Sequence, residues 1–497
     1  MFPYKTSFLL NKSEKQPLYL QLANQFIKYI KEGKLPSGTK LVGSRTLSEM
    51  LNLHRKTVVA CYEELVLQGW AESIPKKGTF IHSSLPMLHQ QKFIDELPKE
   101  NKKDIGFAFY TDEVLGDVYS NPKEDWMYIN DGISDTRLTP TDEIARIYRR
   151  IAGRKSIHKH LSYGSTFGNE TLRDVLVDYL NKTRGLNILK ENLLITRGSQ
   201  MGIYLSSQIL LKEGDKIAIG ETNYASSTIT FQHHKATVIT VSVDENGIDT
   251  NEVEALCKKH QIKALYITSH HHHPTTVTLS AERRIHLLNL AKKYNFAIIE
   301  DDYDYDFNYN HAPILPLASH DVHGNVIYIG SVCKTVAPVF RIGYLIAPKK
   351  FINEASKLRR IIDRQGDALL ELTFAEFVKS GDLDRHIRKV MKIYKTRRDL
   401  FCDLLQQECG NFFQFKIPKG GMAVWVKLKE KYSWKKINKV AHKYNLSIPN
   451  VERYDTFDVG HNSIRIGFAS YNEEEIYELI YRLKQTMTEL IMKEKFS

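Results

Sequence analysis

Short apolar runs alternate with helical segments from about residue 186 onwards, and this alternation limits most strongly how the chain can fold. Strands that alternate with helices predict a mainly parallel sheet covered by helices. The predicted strands are 216–220, 237–243, 264–268, 297–300, 326–330 and 344–347. Ligands of such open sheets bind at the carboxyl ends of the strands, so we expect the functional side chains there.

A length of 497 residues requires more than one folded unit, because single hydrophobic cores stop growing at about 250–300 residues. We expect an N-terminal domain over 1–82, a linker over 83–124 and a large domain over 125–497, with a smaller α+β subdomain over about 365–497. The sequence has no apolar run of about 18 residues, no signal sequence and five scattered cysteines. We therefore expect a reduced, cytoplasmic protein without membrane contact.

Positive charge is concentrated near the N-terminus. Residues 1–81 contain twelve lysines and arginines against six glutamates, and this net charge of +6 is half of the +12 carried by the whole chain. Such an excess on a small domain indicates a polyanionic partner, such as nucleic acid.

The N-terminal segment predicts three helices followed by two strands. The predicted elements are helices over 18–32, 44–51 and 55–68 and strands over 70–74 and 78–81. The second helix, which begins at Ser44, is expected to bury Leu47, Met50 and Leu51. This order is typical of a winged helix-turn-helix, in which the third helix enters the major groove of double-stranded DNA.

The docking geometry of that motif predicts the DNA contacts. Arg55, Lys56 and Thr57 begin the third helix and are expected to meet base edges, while Lys76 and Lys77 at the tip of the hairpin contact phosphate.

The segment from Pro17 to Ile81 resembles the winged helix of GntR-type regulators, and the match lies in residues 35–81, LPSGTKLVGSRTLSEMLNLHRKTVVACYEELVLQGWAESIPKKGTFI. The resemblance implies that Arg45 and Arg55 contact DNA. Val42-Gly43 and Leu53-His54 depart from the residues usual in that family, so the resemblance does not predict which bases are preferred.

Several predicted strand ends carry side chains that suit pyridoxal phosphate. This cofactor needs a lysine amine for its aldehyde, a carboxylate for its pyridine nitrogen, and a helix N-terminus with cationic and hydroxyl donors for its phosphate. Lys334 and Asp301 can meet the first two needs. The predicted phosphate ligands are Ser199, Gln200, Ser331 and Arg341.

The region from about 128 to 482 resembles fold-type I aminotransferases, and specifically the MocR subgroup of GntR regulators. The motifs that carry the resemblance are YGSTFGNETLR at 163–173, EDDYDYDFNY at 300–309 and GSVCKTVAPVFRIGY at 330–344. It implies an α/β fold with pyridoxal phosphate as cofactor, and a homodimer.

The resemblance also implies roles for single residues. Lys334 forms the aldimine, Asp301 pairs with the pyridine nitrogen, Tyr303 donates to the ring hydroxyl, Tyr224 stacks on the ring, Tyr163 reaches the phosphate of the neighbouring subunit, and Arg465 binds a substrate carboxylate.

Four consecutive histidines occupy residues 270–273. They could indicate a metal site or, alternatively, a histidine that lies beside the cofactor. Neighbouring side chains of a strand alternate between faces, and no cysteine or carboxylate at suitable spacing joins the run, so no metal is predicted. His271 is expected beside the cofactor instead. His273 stands where aminotransferases have an asparagine that touches the ring hydroxyl, and with Thr276 and Cys333 this departure argues against efficient transamination.

Three functions remain open. The first, which we favour, is a transcription regulator that binds operator DNA and changes this binding when an amino acid or amine effector forms an external aldimine. The second is an active aminotransferase with an accessory DNA-binding module, against which His273 argues. The third is a scaffold without cofactor, against which Lys334 and Asp301 argue. The sequence identifies neither the effector nor the operator, nor the direction of regulation.

Overall fold

The computed structural model describes residues 2–85, 105–116, 123, 125–309, 314–429, 432–455 and 457–495. The chain divides into two compact units, Met1–Tyr110 and Thr111–Ser497. Most of the predicted linker, 83–124, lies outside the described residues.

The N-terminal unit contains the three helices and two strands predicted from the sequence, and one short helix that was not predicted, α1 Tyr4–Ser7. The predicted elements are α2 Leu18–Lys31, α3 Ser44–Leu51, α4 Arg55–Leu67, β1 Ala71–Ile74 and β2 Gly78–Ile81. The two strands form an antiparallel hairpin in which Ala71 lies opposite Ile81. Its core contains Phe26 of α2, Leu47 of α3 and Val58 of α4.

Met50 does not belong to this core, and the expectation that it is buried was wrong. Its side chain is 41% exposed. The buried face of α3 is centred on Leu47, Ser48 and Leu51, and Met50 lies about 110° from that centre because successive helical residues are about 100° apart.

A seven-stranded sheet forms the centre of the large unit. Its strands are β4 Leu193–Thr196, β5 Lys216–Gly220, β6 Thr237–Val241, β9 Ile262–Ile267, β10 Ala297–Asp302, β11 Val326–Ser331 and β12 Gly343–Ile346. They are arranged in the order β4-β12-β11-β10-β9-β5-β6, and only β12 runs antiparallel to its neighbours. The predicted mainly parallel sheet is confirmed.

Helices cover both faces of this sheet, which explains why its strands are apolar along most of their length. The helices of this part are α5 Thr141–Ala152, α6 Glu170–Arg184, α7 Ser199–Leu210, α8 Ala225–His233, α9 Thr250–Lys259, α10 Ala281–Tyr294 and α11 Lys349–Ile362. Three short strands complete it, β3 Met127–Tyr128, β7 Val243–Asp244 and β8 Gly247–Ile248.

The C-terminal part adds a three-stranded antiparallel sheet. Its elements are α12 Ala368–Lys379, α13 Asp382–Cys409, β13 Phe413–Phe415, β14 Ala423–Leu428, α14 Trp434–Ala441, β15 Leu446–Ser447, β16 Ser463–Gly467 and α15 Glu473–Lys495. The strand order is β13-β14-β16, and β15 pairs with β3. Phe374 and Phe377 of α12 pack in the core formed with α5 and α6, and α13 contributes Leu383 and Ile387 to the same core and Val390 to the core of the C-terminal part. Of the described helices, none is both long and apolar enough to cross a membrane.

Candidate cofactor and ligand site

The N-terminus of α7 forms one end of the site. Gly198 precedes this helix with φ +79°, a left-handed conformation that glycine adopts readily. The guanidinium of Arg341 lies against it: Nη2 donates to the main-chain oxygen of Arg197 at 2.7 Å, and a Cβ on Gly198 would lie 2.9 Å from Nη2. The free N–H groups that begin α7 at Ser199 and this cation together make an anion site.

The sheet brings Ser331 to the same place. In the register of β11 and β12, Ser331 is opposite Gly343, and a Cβ on Gly343 would lie 2.7 Å from the carbonyl carbon of Gly198. Ser331 Oγ accepts from the N–H of Cys333 at 3.1 Å. Three of the four predicted phosphate ligands, Ser199, Ser331 and Arg341, are therefore gathered around one point.

Gln200, the fourth predicted phosphate ligand, turns its side-chain amide towards α8. Its Nε2 donates to Thr230 Oγ1 at 2.9 Å. Its Oε1 is buried and has no hydrogen-bond partner among the described residues. Its main-chain N–H lies in the first turn of α7.

Lys334 follows β11 and is half-buried. Its Nζ donates to the main-chain oxygen of Gly132 at 2.5 Å and lies 5.8 Å from the centre of the Tyr303 ring. Burial lowers the pKa of the Lys334 ammonium, although nearby Asp131 opposes this shift. A lowered pKa favours the neutral amine, which is the nucleophilic form needed to attack an aldehyde.

Asp301 lies in β10, two strands from β12, and is buried. Its Oδ2 accepts from the hydroxyl of Tyr266 at 2.9 Å, whereas Oδ1 is buried without a partner among the described residues. Burial raises the pKa of Asp301 to about 7, and the neighbouring Asp302 and Asp304 add to the shift. A buried, unsatisfied carboxylate oxygen is stabilised by a cationic N–H donor, which is what a protonated pyridine nitrogen provides.

The four histidines do not converge on one ion, because each has its own partner. His270 Nδ1 lies 3.1 Å from Asp302 Oδ1, His271 Nδ1 2.9 Å from Asp304 Oδ1, His272 Nε2 2.8 Å from the main-chain oxygen of Thr222, and His273 Nε2 2.8 Å from Asp131 Oδ2. Among the described residues, no group of three or more His, Cys, Asp or Glu side chains is arranged to hold a metal ion.

His273, rather than His271, is the histidine that the structure brings to the site. The His271 ring packs against Gly420 and leaves no room there for a Cβ. The His273 ring lies 5.4 Å from the ring of Tyr224 and 6.4 Å from that of Tyr303. The placement of His271 beside the cofactor is not supported by this arrangement, since its side chain is directed towards Asp304 and the smaller subdomain.

The protonation of His273 follows from its surroundings. Burial lowers the pKa of His273, although Asp131 acts against this shift. Asp131 stays ionised, because the hydrogen bond from His273 and the positive charges of Arg465 and Lys334 hold the pKa of its carboxyl well below the usual value despite its burial. Neutral His273 therefore donates from Nε2 to Asp131, and its Nδ1 is left as a buried acceptor without a partner among the described residues.

Asp131 is the residue that sequence reasoning missed. It follows Asn130 in a segment without a motif, and only its position next to Gly132 after a strand-like run could have marked it. Besides His273, its Oδ1 accepts from the hydroxyl of Tyr454 at 3.2 Å.

Arg465 lies in β16 and is 1% exposed. Its Nε donates to the main-chain oxygen of Asp131 at 3.2 Å and lies 3.5 Å from Asp131 Oδ1. Nη1 donates to the main-chain oxygen of Pro274 at 3.0 Å, and Nη2 to the hydroxyl of Tyr303 at 3.4 Å. The predicted carboxylate ligand thus reaches the site, but in contact with a carboxylate of the protein.

Of the three tyrosines predicted to bind the cofactor, two lie at the site and one does not. Tyr303 donates its hydroxyl to the main-chain oxygen of His271 at 2.9 Å, and Tyr224 precedes α8 beside His273. Tyr163 is 77% exposed, with the guanidinium of Arg364 4.1 Å from its ring centre. Within one chain Tyr163 does not meet Lys334 or Asp301.

The N-terminal unit exposes most of the predicted DNA contacts. The exposed side chains are Arg45, Arg55, Lys56, Lys76 and Lys77, and Thr57 is half-buried. Lys56 and Thr57 lie in the first turn of α4, where the His54 ring accepts from the N–H of Lys56 at 3.2 Å. None of the five cations forms an ion pair within residues 2–85 as described.

A sequence model of the aminotransferase class I and II family matches residues 129–483. The chain belongs to the aminotransferase class I and II family. Membership of this family confirms pyridoxal phosphate as the cofactor and the fold-type I architecture of the large unit.

Similar proteins of known name include both regulators and enzymes. An uncharacterized HTH-type transcriptional regulator, YdeL of Bacillus subtilis, is 26% identical over 482 residues, which cover 96% of this chain and 98% of the relative. Aromatic-amino-acid aminotransferase 1 of Thermococcus litoralis is 27% identical and covers 78% of this chain and 95% of its own.

A solved structure, the kynurenine aminotransferase of Pyrococcus horikoshii in complex with PMP, superposes on this chain with a TM-score of 0.71. It is 27% identical and covers 77% of this chain and 97% of its own. The predicted resemblance to regulators that carry an aminotransferase-like domain is confirmed by the full-length match to HTH-type regulators.

Proposed function

We propose that this chain is a pyridoxal-phosphate-dependent transcription regulator of the MocR type, which binds operator DNA and changes that binding when an amino compound occupies the large unit. The observation that carries the proposal is the buried, unsatisfied Oδ1 of Asp301 in a unit that also contains Lys334 and an anion site. Similarity to an HTH-type regulator over 96% of the chain supports the regulatory part.

The N-terminal unit would act as a winged helix-turn-helix. Its order of helices and hairpin and its exposed cations support this function. Arg55, Lys56 and Thr57 at the start of α4 would read base edges, and Arg45 and the hairpin lysines Lys76 and Lys77 would contact the backbone.

The large unit would hold the cofactor through its own residues. Ser199, Ser331 and Arg341 would bind the phosphate, Tyr224 would pack on the ring, and Asp301 would accept from the pyridine nitrogen. When bound, pyridoxal phosphate supplies an aldehyde for amines and an electron sink.

His273 is positioned for the ring hydroxyl. Its unpartnered Nδ1 would accept a hydrogen bond from that hydroxyl, while Nε2 stays bonded to Asp131. Tyr303 would donate to the same oxygen once its hydroxyl turns from the main-chain oxygen of His271. Lys334 would leave Gly132 to bond the aldehyde, and an amine ligand would replace it there.

The exposure of Tyr163 supports a homodimer in which this residue reaches the phosphate of the other subunit. In such a dimer two N-terminal units would bind two half-sites, and the arrangement of the pair would be the property that the ligand changes. This requires the ligand to bind the two arrangements with different affinity.

An active aminotransferase is the second candidate. The similarity to the Thermococcus litoralis and Pyrococcus horikoshii enzymes favours it, together with the lowered pKa of Lys334. The acceptor at His273 Nδ1 argues against it, because the asparagine usual at that position is a donor to the ring oxygen.

One experiment separates the candidates. The full chain with pyridoxal phosphate is titrated with amino compounds while its visible absorption and its affinity for duplexes selected from a random DNA library are measured, alongside Lys334→Ala and a surface control, Lys357→Ala. A spectral change with altered DNA affinity and no keto-acid-dependent turnover supports the regulator. Sustained turnover supports the enzyme, and the lack of a visible band in the wild type would overturn both.

A further inference from the structure

One face of helix α13 is strongly basic. Residues 385–398 of this helix contain seven lysines and arginines and no aspartate or glutamate. Arg397 is buried and pairs with Asp135. Arg398 is also buried and donates to the main-chain oxygen of Pro418. The five other cations are exposed, and we define them together as the basic face: Arg385, Arg388, Lys389, Lys392 and Lys395.

Helix geometry places these five cations side by side. Successive helical residues are about 100° apart, so the basic face spans an arc of about 120° and a length of about 15 Å. The opposite side of the helix is buried and contains Val390 and Tyr394. Neighbouring cations of the basic face are three or four residues apart in the sequence, a spacing at which like charges repel each other. The helix gains no stability from this arrangement, and a bound polyanion would remove the repulsion.

Acidic side chains compensate only one end of the basic face. Asp382 pairs with Arg385 and also lies in the field of Arg146 of α5, which is itself exposed. The other four cations form no ion pair with any residue that the structure describes. Most of the basic face is therefore free to bind an anion from solution.

The shape and spacing of the basic face fit duplex DNA better than a lipid membrane. The structure describes α13 along its whole length, and the helix exposes no large apolar side chain that could insert into a membrane. The cations follow one another at roughly 4 Å along the helix axis, and each strand of duplex DNA carries one phosphate per roughly 3.4 Å. Side chains at this spacing can neutralise successive phosphates without contacting the bases.

We propose, on the basis of the proposed function, that the basic face is a second DNA-contact surface, with which the large unit binds the phosphate backbone of DNA that flanks the operator. The N-terminal unit supplies the sequence recognition. The basic face adds affinity that does not depend on sequence, so the full chain binds a longer duplex than its winged helix requires.

A combined substitution of four cations tests this surface. The four-residue variant carries Arg388→Gln, Lys389→Gln, Lys392→Gln and Lys395→Gln, since glutamine removes the charge but favours a helix as much as lysine does. The full chain with pyridoxal phosphate is titrated, at several salt concentrations, with a selected duplex extended by flanking DNA of random sequence. The variant is expected to bind roughly tenfold to a hundredfold more weakly, and its slope of log affinity against log salt concentration is expected to be smaller by about 3.

A matched control loses the same net charge elsewhere on the large unit. It combines substitutions at four exposed lysines outside α13, Lys259→Gln, Lys263→Gln, Lys292→Gln and Lys350→Gln. Its salt slope is expected to stay within about 1 of the wild-type value. The visible cofactor band of both variants reports that they fold. Removal of the flanking DNA from the duplex is expected to weaken binding by the wild type but not by the four-residue variant.

The outcomes separate this inference from the proposed function. A four-residue variant with the affinity and salt slope of the wild type overturns the inference, and so does a control that loses as much affinity as this variant. A wild type that is indifferent to flanking DNA overturns it even if the variant does not fold. Loss of binding to phosphatidylserine vesicles with unchanged DNA binding overturns it in favour of a membrane. A wild type that binds no selected duplex overturns the proposed function and this inference with it.

Discussion

The two compact units present their functional groups in opposite ways. Arg45 and Arg55 of the N-terminal unit are exposed, whereas Asp301 and Arg465 of the large unit are buried. A polar atom excluded from water needs a partner, so the buried site reveals the chemistry of its ligand through atoms that the protein leaves unsatisfied. Water forms hydrogen bonds with exposed cations, so these leave no unsatisfied atoms. The N-terminal unit therefore indicates only that its partner is negatively charged.

This difference predicts how substitutions act in each unit. Changes at the buried charged groups of the large unit alter stability as well as binding, because they leave other buried charges without partners. Changes at the DNA-contact residues alter binding alone.

The largest effect on stability is expected for His271→Asn. The shorter side chain loses contact with Asp304, which leaves a buried carboxylate without its donor and lowers the free energy of unfolding of the large unit by about 3 kcal/mol. The matched control is His233→Asn, which breaks an exposed pair with Asp112 and is expected to leave the free energy of unfolding nearly unchanged, because solvent screens exposed pairs. Urea unfolding checks both. Equal losses would show that burial does not distinguish the two pairs.

Asp301→Asn is expected to change how stability depends on pH. Because burial raises the pKa of Asp301 from 3.8 to about 7, the folded protein without cofactor holds a proton in this range that the unfolded chain has lost. Its stability therefore falls as the pH rises from about 4 to about 7. The asparagine removes this contribution. The melting temperature of the variant minus that of the wild type is therefore expected to be higher at pH 8 than at pH 5.

Thermal unfolding of both proteins without cofactor at the two pH values provides the measurement. Asp178→Asn, at an exposed carboxylate, serves as control and should follow the wild type. Parallel curves for Asp301→Asn and the wild type would contradict the assigned protonation.

Arg341→Ala is expected to weaken the binding of pyridoxal phosphate by roughly tenfold to a hundredfold, the effect of losing a charge-assisted contact to phosphate. Arg360→Ala removes an exposed arginine from α11 and should leave this affinity unchanged. Equilibrium titration by visible absorption measures both variants. An unaltered affinity in Arg341→Ala would remove this residue from the anion site.

The smallest effect on folding is expected for Arg55→Ala. Since the side chain is exposed, its loss leaves the melting temperature unchanged but weakens binding to selected DNA duplexes by roughly tenfold. Lys12→Ala removes an exposed positive charge elsewhere in the same unit and tests whether the loss of any such charge weakens DNA binding equally. A loss of melting temperature in Arg55→Ala would show that the residue is structural.

The alternation of apolar runs predicted the sheet well, because strands buried on both faces are apolar throughout. β5 has the predicted bounds, and the other five strands differ at their ends by one or two residues. Met50 was misplaced because eight residues are too few to define the buried face of a helix by spacing alone.

The site was predictable where its residues belong to one motif. Ser331, Lys334 and Arg341 lie within eleven residues of one another, so a local pattern places them together. His273 and Asp131 are 142 residues apart, and Tyr454 and Asp131 are 323 apart. Their contacts depend on how strands and loops are brought together, and the choice between His271 and His273 depends on the same packing.

The covalent link between Lys334 and pyridoxal phosphate is tested most directly by borohydride reduction of the full chain with the cofactor, followed by mass spectrometry of its peptides. We predict one reduced cofactor per chain, attached to Lys334, and none in Lys334→Ala. Attachment to a different lysine, or an unlabelled wild-type chain, would contradict the account.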